Sequence, residues 1–222
     1  MTPKLLRILG VLLTLLLIVY VFDIPRDLFG FLFYPSAHAA LHLAFMLIVV
    51  FLFVRMTGKS PGNKVPWYDI LFILAGLVGC LYIFVKIPEI HRMQKLFSNP
   101  LEQTLGWITL IVVAEAVRRT IGLSMVILPI LFIFYAKIAH ILPGLLGGLS
   151  YSWPRVWAYM YLYDTGIFGI VLELGATIIL SFILFGSFLQ EAGAGKFFTD
   201  LGFLLVGRLR GGPAKVTLIT TG

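Results

Sequence analysis

Charge is what this 222-residue chain has least of: Asp, Glu, Lys and Arg together make up only 12% of it. A soluble domain carries about 25% charged and 45–50% apolar residues. Here 60% of the residues are hydrophobic and mean hydropathy is +1.02. So few charges cannot coat a water-soluble domain, and lipid is the solvent the composition fits. Acidic residues are scarcest, ten against seventeen Lys and Arg, for a net charge of +7. The basic residues stand in small groups between apolar runs rather than in one patch. That distribution argues against nucleic-acid binding and for membrane topology. Cysteine occurs once, at Cys80 inside an apolar run. An intrachain disulfide and a cysteine-based metal site are thereby excluded, and a packed, inert thiol is expected. No Walker loop, nucleophile elbow or paired-histidine zinc helix is present, so no enzyme active site is expected.

What is present is a succession of apolar runs. A membrane helix needs about 20 apolar residues, and six spans are read: 5–22, 37–56, 67–85, 104–117, 121–139 and 166–189, the fourth and fifth being one interrupted run that is apolar up to Glu115 and broken by Arg118-Arg119. The first follows Lys4 and Arg7 but runs into "DIPRD" without a small-residue cleavage site, so it reads as a retained signal anchor. The second ends at the Gly/Pro/Lys-rich "RMTGKSPGNKVP", and the third opens on Trp67-Tyr68. The polar stretch "IPEIHRMQKLFSNPLEQ" predicts an amphipathic helix at the membrane surface. Pro129 marks a kink in the fifth run. "PGLLGGLSYSWPRVWAYMYLYDTG" reads as an interfacial loop with an aromatic belt, and "GAGKFFTDLGFLLVGRLRGGPAK" as a short amphipathic helix with a glycine turn. Gly211-Gly212 before Pro213 is too little for a phosphate loop and reads as a tight turn at the membrane surface.

The basic residues orient these runs. With a cytoplasmic N-terminus and six alternating spans, the inner side holds Lys4, Arg7, Arg55, Lys59, Lys64, Arg118, Arg119, Lys196, Arg208, Arg210 and Lys215. The outer side holds Arg26, Lys86, Arg92, Lys95, Lys137 and Arg155. The bias is inward, with the 86–95 group as the one discordant cluster.

Polar residues inside the runs are few. His38 and His42 stand four apart on one helix face, but no third ligand is near in sequence, so backbone or headgroup bonding is expected rather than a metal. His91 and His140 are isolated. Glu115 precedes Arg118 by three residues and Arg119 by four, the spacing of a helical ion pair. Glu173 lies within the last run, where an ionised group costs on the order of 3 kcal/mol and faces protein or a water-filled cavity. A helix-packing or gating hydrogen bond and a direct ion-path role both fit it. The glycines at 166, 169 and 175 allow close approach of a neighbouring helix.

The pieces "EAVRRTIG", "FYAKIAHILPGLL", "GIFG", "LFGSFLQEAGAGKFF" and "VGRLRGGPAKV" resemble the permease of tripartite ATP-independent periplasmic (TRAP) transporters, specifically the fused TAXI-type permeases. The resemblance runs from about Trp107 to Lys215; over residues 1–100 it consists of apolar spans in the right place. It implies a secondary active, sodium-coupled and binding-protein-dependent transporter of small organic acids, not an enzyme, in the cytoplasmic membrane of a bacterium or archaeon. Residues 1–118 resemble the Q-type four-helix part, a scaffold, and 119–222 the opening of the moving M-type part. Whether 121–139 is a linker span or the first M-type helix stays open.

Partners implied are the remainder of the M-type domain, a periplasmic substrate-binding protein and the bilayer. No cofactor is implied beyond sodium as coupling ion. In the family "GGPAKV" leads into a re-entrant hairpin whose tip helps bind that ion. Here "TLITTG" follows instead, so the re-entrant element is expected to be truncated, the chain to be a fragment, and the sodium site to lie beyond it. The fold expected is therefore all-α and integral to the membrane: about six transmembrane helices, a surface amphipathic helix and a truncated re-entrant element. The alternative is a standalone membrane scaffold or partner-binding protein without transport activity.

Overall fold

The computed structural model describes residues 3–30, 32–54, 66–93 and 97–206. Two compact units divide the chain, Met1–Thr177 and Ile178–Gly222. Every regular element among the described residues is helical. In the first unit these are α1 (Pro3–Val21), α2 (Ile24–Phe29), α3 (Pro35–Phe53), α4 (Trp67–Met93), α5 (Pro100–Thr120), α6 (Ser124–Ile138), α7 (Trp153–Trp157) and α8 (Ile170–Leu174). In the second they are α9 (Leu180–Glu191) and α10 (Ala194–Val206).

Among the described residues five helical stretches are long and apolar enough to cross a membrane: Pro35–Phe53, Trp67–Arg92, Pro100–Thr120, Ser124–Ile141 and Ile170–Glu191. The first of the six expected spans is shorter, with its apolar part at Arg7–Val21.

Where helices start follows from local chemistry. Proline stands first in α3 and α5, where its missing N–H leaves no intrahelical bond unmade. Asn99 precedes α5, and its backbone N–H donates to Glu102 Oε2 at 2.7 Å, one half of a capping box.

Packing of the first unit is built on α3, α4 and α5. Helix α3 presents the small residues Ala37, Ala40 and Ala44 to the core, each buried. Helix α4 turns Gly76, Cys80, Ile83, Ile87 and Ile90 inward, while Leu71, Leu74, Val78, Leu81 and Val85 stay exposed on the opposite side. Both stripes repeat every three to four residues, the helical period. The exposed stripe suits lipid, and the small residues let backbones approach where no hydrophobic effect drives helices together. A Cβ on Gly76 would lie 2.8 Å from Leu47 Cδ1, and one on Gly79 would fall on Thr109 Oγ1, so α4 sits hard against α3 and α5.

Two expectations are corrected here. The surface helix predicted over 87–103 is not a separate element among the described residues: its first part is the end of α4 and its last part the first turn of α5. Helix α4 runs through Pro88 because the buried stripe Ile83, Ile87, Ile90 continues past it. Proline removes one backbone bond, and continued packing overrides that loss. The aromatic stretch 143–166 is likewise no simple interfacial loop. Trp157, Tyr161 and Leu162 are among the most deeply buried side chains, at 0%, 0% and 1% exposure. Gly106 explains the first: a Cβ there would lie 2.7 Å from Trp157 Cε3, so the glycine opens the seat that the indole fills.

In the second unit α9 and α10 are joined by a tight turn at Gly193, whose φ of +84° favours glycine. Helix α10 carries Lys196, Thr199 and Asp200 among apolar residues. Gly211, Gly212 and Pro213, together with the expected re-entrant element, lie outside the described residues.

Candidate functional site

Two polar clusters sit at opposite ends of the α3–α4–α5 core. The first joins the end of α5 to the end of α3 and the start of α4. Arg119, with its side chain wholly buried, places Nη2 2.7 Å from Asp69 Oδ1 and donates from Nε to Glu115 Oε1 at 2.8 Å. Its Nη1 donates to Val54 O at 3.2 Å. The guanidinium carbon lies 4.7 Å from the Phe51 ring centre and 5.8 Å from that of Phe72, and these two rings are stacked 5.2 Å apart. Arg118 forks onto Glu115, with Nε to Oε2 at 2.7 Å and Nη2 to Oε1 at 2.8 Å. Two cations thus face two carboxylates, and formal charge cancels. Cancellation is what permits burial, because an isolated ion would carry a desolvation penalty of several kcal/mol.

The second cluster gathers the start of α3, the end of α4 and the turn after residue 162. Ser36 Oγ donates to Asp164 Oδ1 at 2.7 Å. His91 Nε2 lies 3.3 Å from Asp164 Oδ2, and its Nδ1 lies 3.1 Å from Ile87 O. Both ring nitrogens therefore face oxygen acceptors, and both contacts are hydrogen bonds only when the ring carries two protons. Tyr34 stacks on this ring with centroids 5.2 Å apart. Glu173, on α8 and half-buried, lies within electrostatic reach of Asp164 and His91. Its carboxylate has no hydrogen-bond partner among the described residues.

Between the clusters the core holds isolated polar groups. Tyr161 Oη donates to Gly79 O at 2.8 Å. Tyr82 Oη donates to the buried Glu102 at 3.0 Å. His38 and His42, expected near an interface, are buried at 1% and 6% exposure, and Tyr20 stacks on His38 at 4.1 Å. Among the described residues no three His, Cys, Asp or Glu side chains converge as a metal cage requires.

Of the residues singled out in sequence, Glu115, Arg118 and Arg119 meet in the first cluster and Glu173 belongs to the second. Arg119 does not reach for the interface as an edge arginine would. Asp69, Asp164 and Ser36 were not singled out. Asp69 sits two residues after the interfacial Trp67, and Asp164 in the glycine-flanked "YDTG"; each is a lone acid beside an apolar run, and only that signal marked them.

The family model described as "Tripartite ATP-independent periplasmic transporter, DctM component" matches residues 108–222. No curated protein and no solved structure matches the chain. The match takes in the end of α5 with Glu115, Arg118 and Arg119, all of α6 to α10, and both Asp164 and Glu173. With this match over half of an all-α chain rich in membrane-length helices, the chain belongs to the DctM component family of tripartite ATP-independent periplasmic transporters.

Proposed function

We propose that this permease component serves a sodium-coupled, binding-protein-dependent transporter of small organic acids, and that its α3–α5 core is the static scaffold against which the transport domain moves. Residues 1–118 take the Q-type role and 119–222 belong to the M-type part, whose first residue, Arg119, still closes α5 and is held by the scaffold, in a cytoplasmic membrane with the N-terminus inside. The observation that carries the scaffold reading is the first cluster, which ties the ends of three helices through one buried guanidinium. A surface that slides cannot keep a wholly buried arginine paired on two sides, whereas a fixed frame can.

Uptake of radiolabelled organic acids by cells expressing the chain with its membrane and periplasmic partners tests the reading. Accumulation is expected to need both sodium and the binding protein. Uptake that persists in choline medium overturns the coupling, and uptake without the binding protein overturns that dependence. No uptake of any acid in the complete system favours a scaffold without transport.

A further inference from the structure

We propose that the groove along α6 is a binding site for an anionic phospholipid, with the phosphate held at Lys137 and Arg155 and one acyl chain lying between α5 and α6. Lys137 and Arg155 converge on Tyr151: Lys137 Nζ donates to its carbonyl at 3.3 Å, and the Arg155 guanidinium lies 5.4 Å from its ring centre. Lys137 also stands 5.8 Å from the ring centre of Trp153. Neither cation forms an ion pair with a carboxylate among the described residues, so the pair leaves positive charge unanswered. Arg155 and Tyr151 line a cavity of about 350 Å³ together with Tyr159 and Met160. Lysine, arginine and aromatic rings at the end of a span are the chemistry of the headgroup level, and basic pockets between membrane helices hold anionic headgroups.

Met160 also lines a second cavity, of about 320 Å³, walled by α5 (Leu110, Val113) and α6 (Met125, Ile130). The two cavities therefore share Met160 as a common wall, one being cationic and aromatic, the other apolar. Their spacing matches a lipid. Pro129, on the wall of the apolar cavity, precedes Lys137 by eight residues, about 12 Å at 1.5 Å per residue. One leaflet's hydrocarbon is about 15 Å deep. A phosphate at Lys137 thus sends its chain into the apolar cavity. A partner helix fits less well: a cylinder about 10 Å across over the same depth needs roughly 900 Å³, more than the two cavities hold together.

The full chain, purified in a mild detergent, is titrated with phosphatidylglycerol or with phosphatidylcholine of the same acyl chains. Melting temperature and native mass spectrometry read the binding. Phosphatidylglycerol is expected to bind about tenfold or more tightly than phosphatidylcholine, and Arg155→Gln and Lys137→Gln each to reduce that preference about fivefold. A phosphatidylglycerol with a diazirine on its acyl chain is expected to label residues 110–117 or 125–130. Equal affinity for the two lipids, an unchanged preference in the double variant, or label concentrated on the exposed stripe of α4 would overturn the proposal. Labelling of the parent chain decides if a variant fails to fold.

Discussion

Arg119 at the end of α5 and Asp69 at the start of α4 meet at 2.7 Å with side-chain exposures of 0% and 2%. Fifty positions apart in sequence, they form the deepest charged contact among the described residues. Removing Arg119 leaves Asp69 buried without its cation, and removing Asp69 leaves Arg119 to share Glu115 with Arg118; breaking a buried pair costs about 3–5 kcal/mol. Asp69→Leu and Arg119→Met are each expected to lower unfolding free energy by that order in mixed micelles. The double variant is expected to cost less than the sum, because Glu115 keeps Arg118 as its partner. Arg119→Lys is expected to fail as a rescue, since an ammonium cannot reach Asp69, Glu115 and Val54 O in one plane while lying on two rings. Additive single costs would dismiss the linkage.

Gly106 and Trp157 make a second lock, this time steric. Gly106→Ala sets a methyl 2.7 Å from Trp157 Cε3, inside any real contact distance. The cost expected is about 1–3 kcal/mol, the range for overpacking. Trp157→Phe is expected to restore part of it, since the smaller ring vacates Cε3's place and Trp157 Nε1 has no hydrogen-bond partner among the described residues. Melting in detergent measures both. Equal melting of parent and Gly106→Ala would show that the indole is not held there.

These locks mark the limit of what the sequence makes legible. Helical spans could be read because they depend on local composition: α3, α5 and α6 fall on the apolar runs, and the Glu115–Arg118–Arg119 spacing is a property of one helix turn. The burial of Arg119 was not readable, because it depends on Asp69 in another helix and on the ring pair Phe51–Phe72. The same holds for "SWPRVWAYMYLY", whose aromatic density matches both a membrane interface and a packed core. What decides between them is Gly106, some fifty residues upstream, which leaves room for Trp157. The third apolar run ends at residue 85 in sequence, whereas tertiary packing carries α4 through Pro88 to Met93.

Glu173 and Asp164 bring two carboxylates into one cluster, with the His91 ring facing Asp164. Glu173→Gln is expected to leave thermal stability unchanged or raise it slightly, by relief of like-charge repulsion that solvent screens because both groups are partly exposed. Asp164→Asn is expected to lower it, through loss of the charged acceptor for Ser36 and His91. In the Asp164→Asn background the Glu173→Gln change is expected to bring no benefit. A double-mutant cycle in detergent reads this coupling, and a benefit of Glu173→Gln equal in both backgrounds would show that the two acids do not sense each other.

Orientation in the membrane follows from the same ends. Arg118 and Arg119 close α5, and α6 begins four residues later, so Ser124 shares their side of the bilayer. Ser150 lies beyond the far end of α6, exposed, on the side of Lys137. Basic residues near span ends favour the cytoplasm, so Ser124 is expected inside and Ser150 outside. Cys80 is fully buried and should stay silent to thiol reagents. Ser150→Cys is therefore expected to react with a membrane-impermeant maleimide in intact cells, and Ser124→Cys only after the membrane is opened. Arg119 sharpens the test: its charge is spent on Asp69 and Glu115 rather than on lipid or water, so Arg119→Gln should not invert the labelling even though it removes a charge from the inner count. Labelling of Ser124→Cys but not Ser150→Cys in intact cells would reverse the orientation, and inversion by Arg119→Gln alone would show that this arginine acts on topology before it is buried.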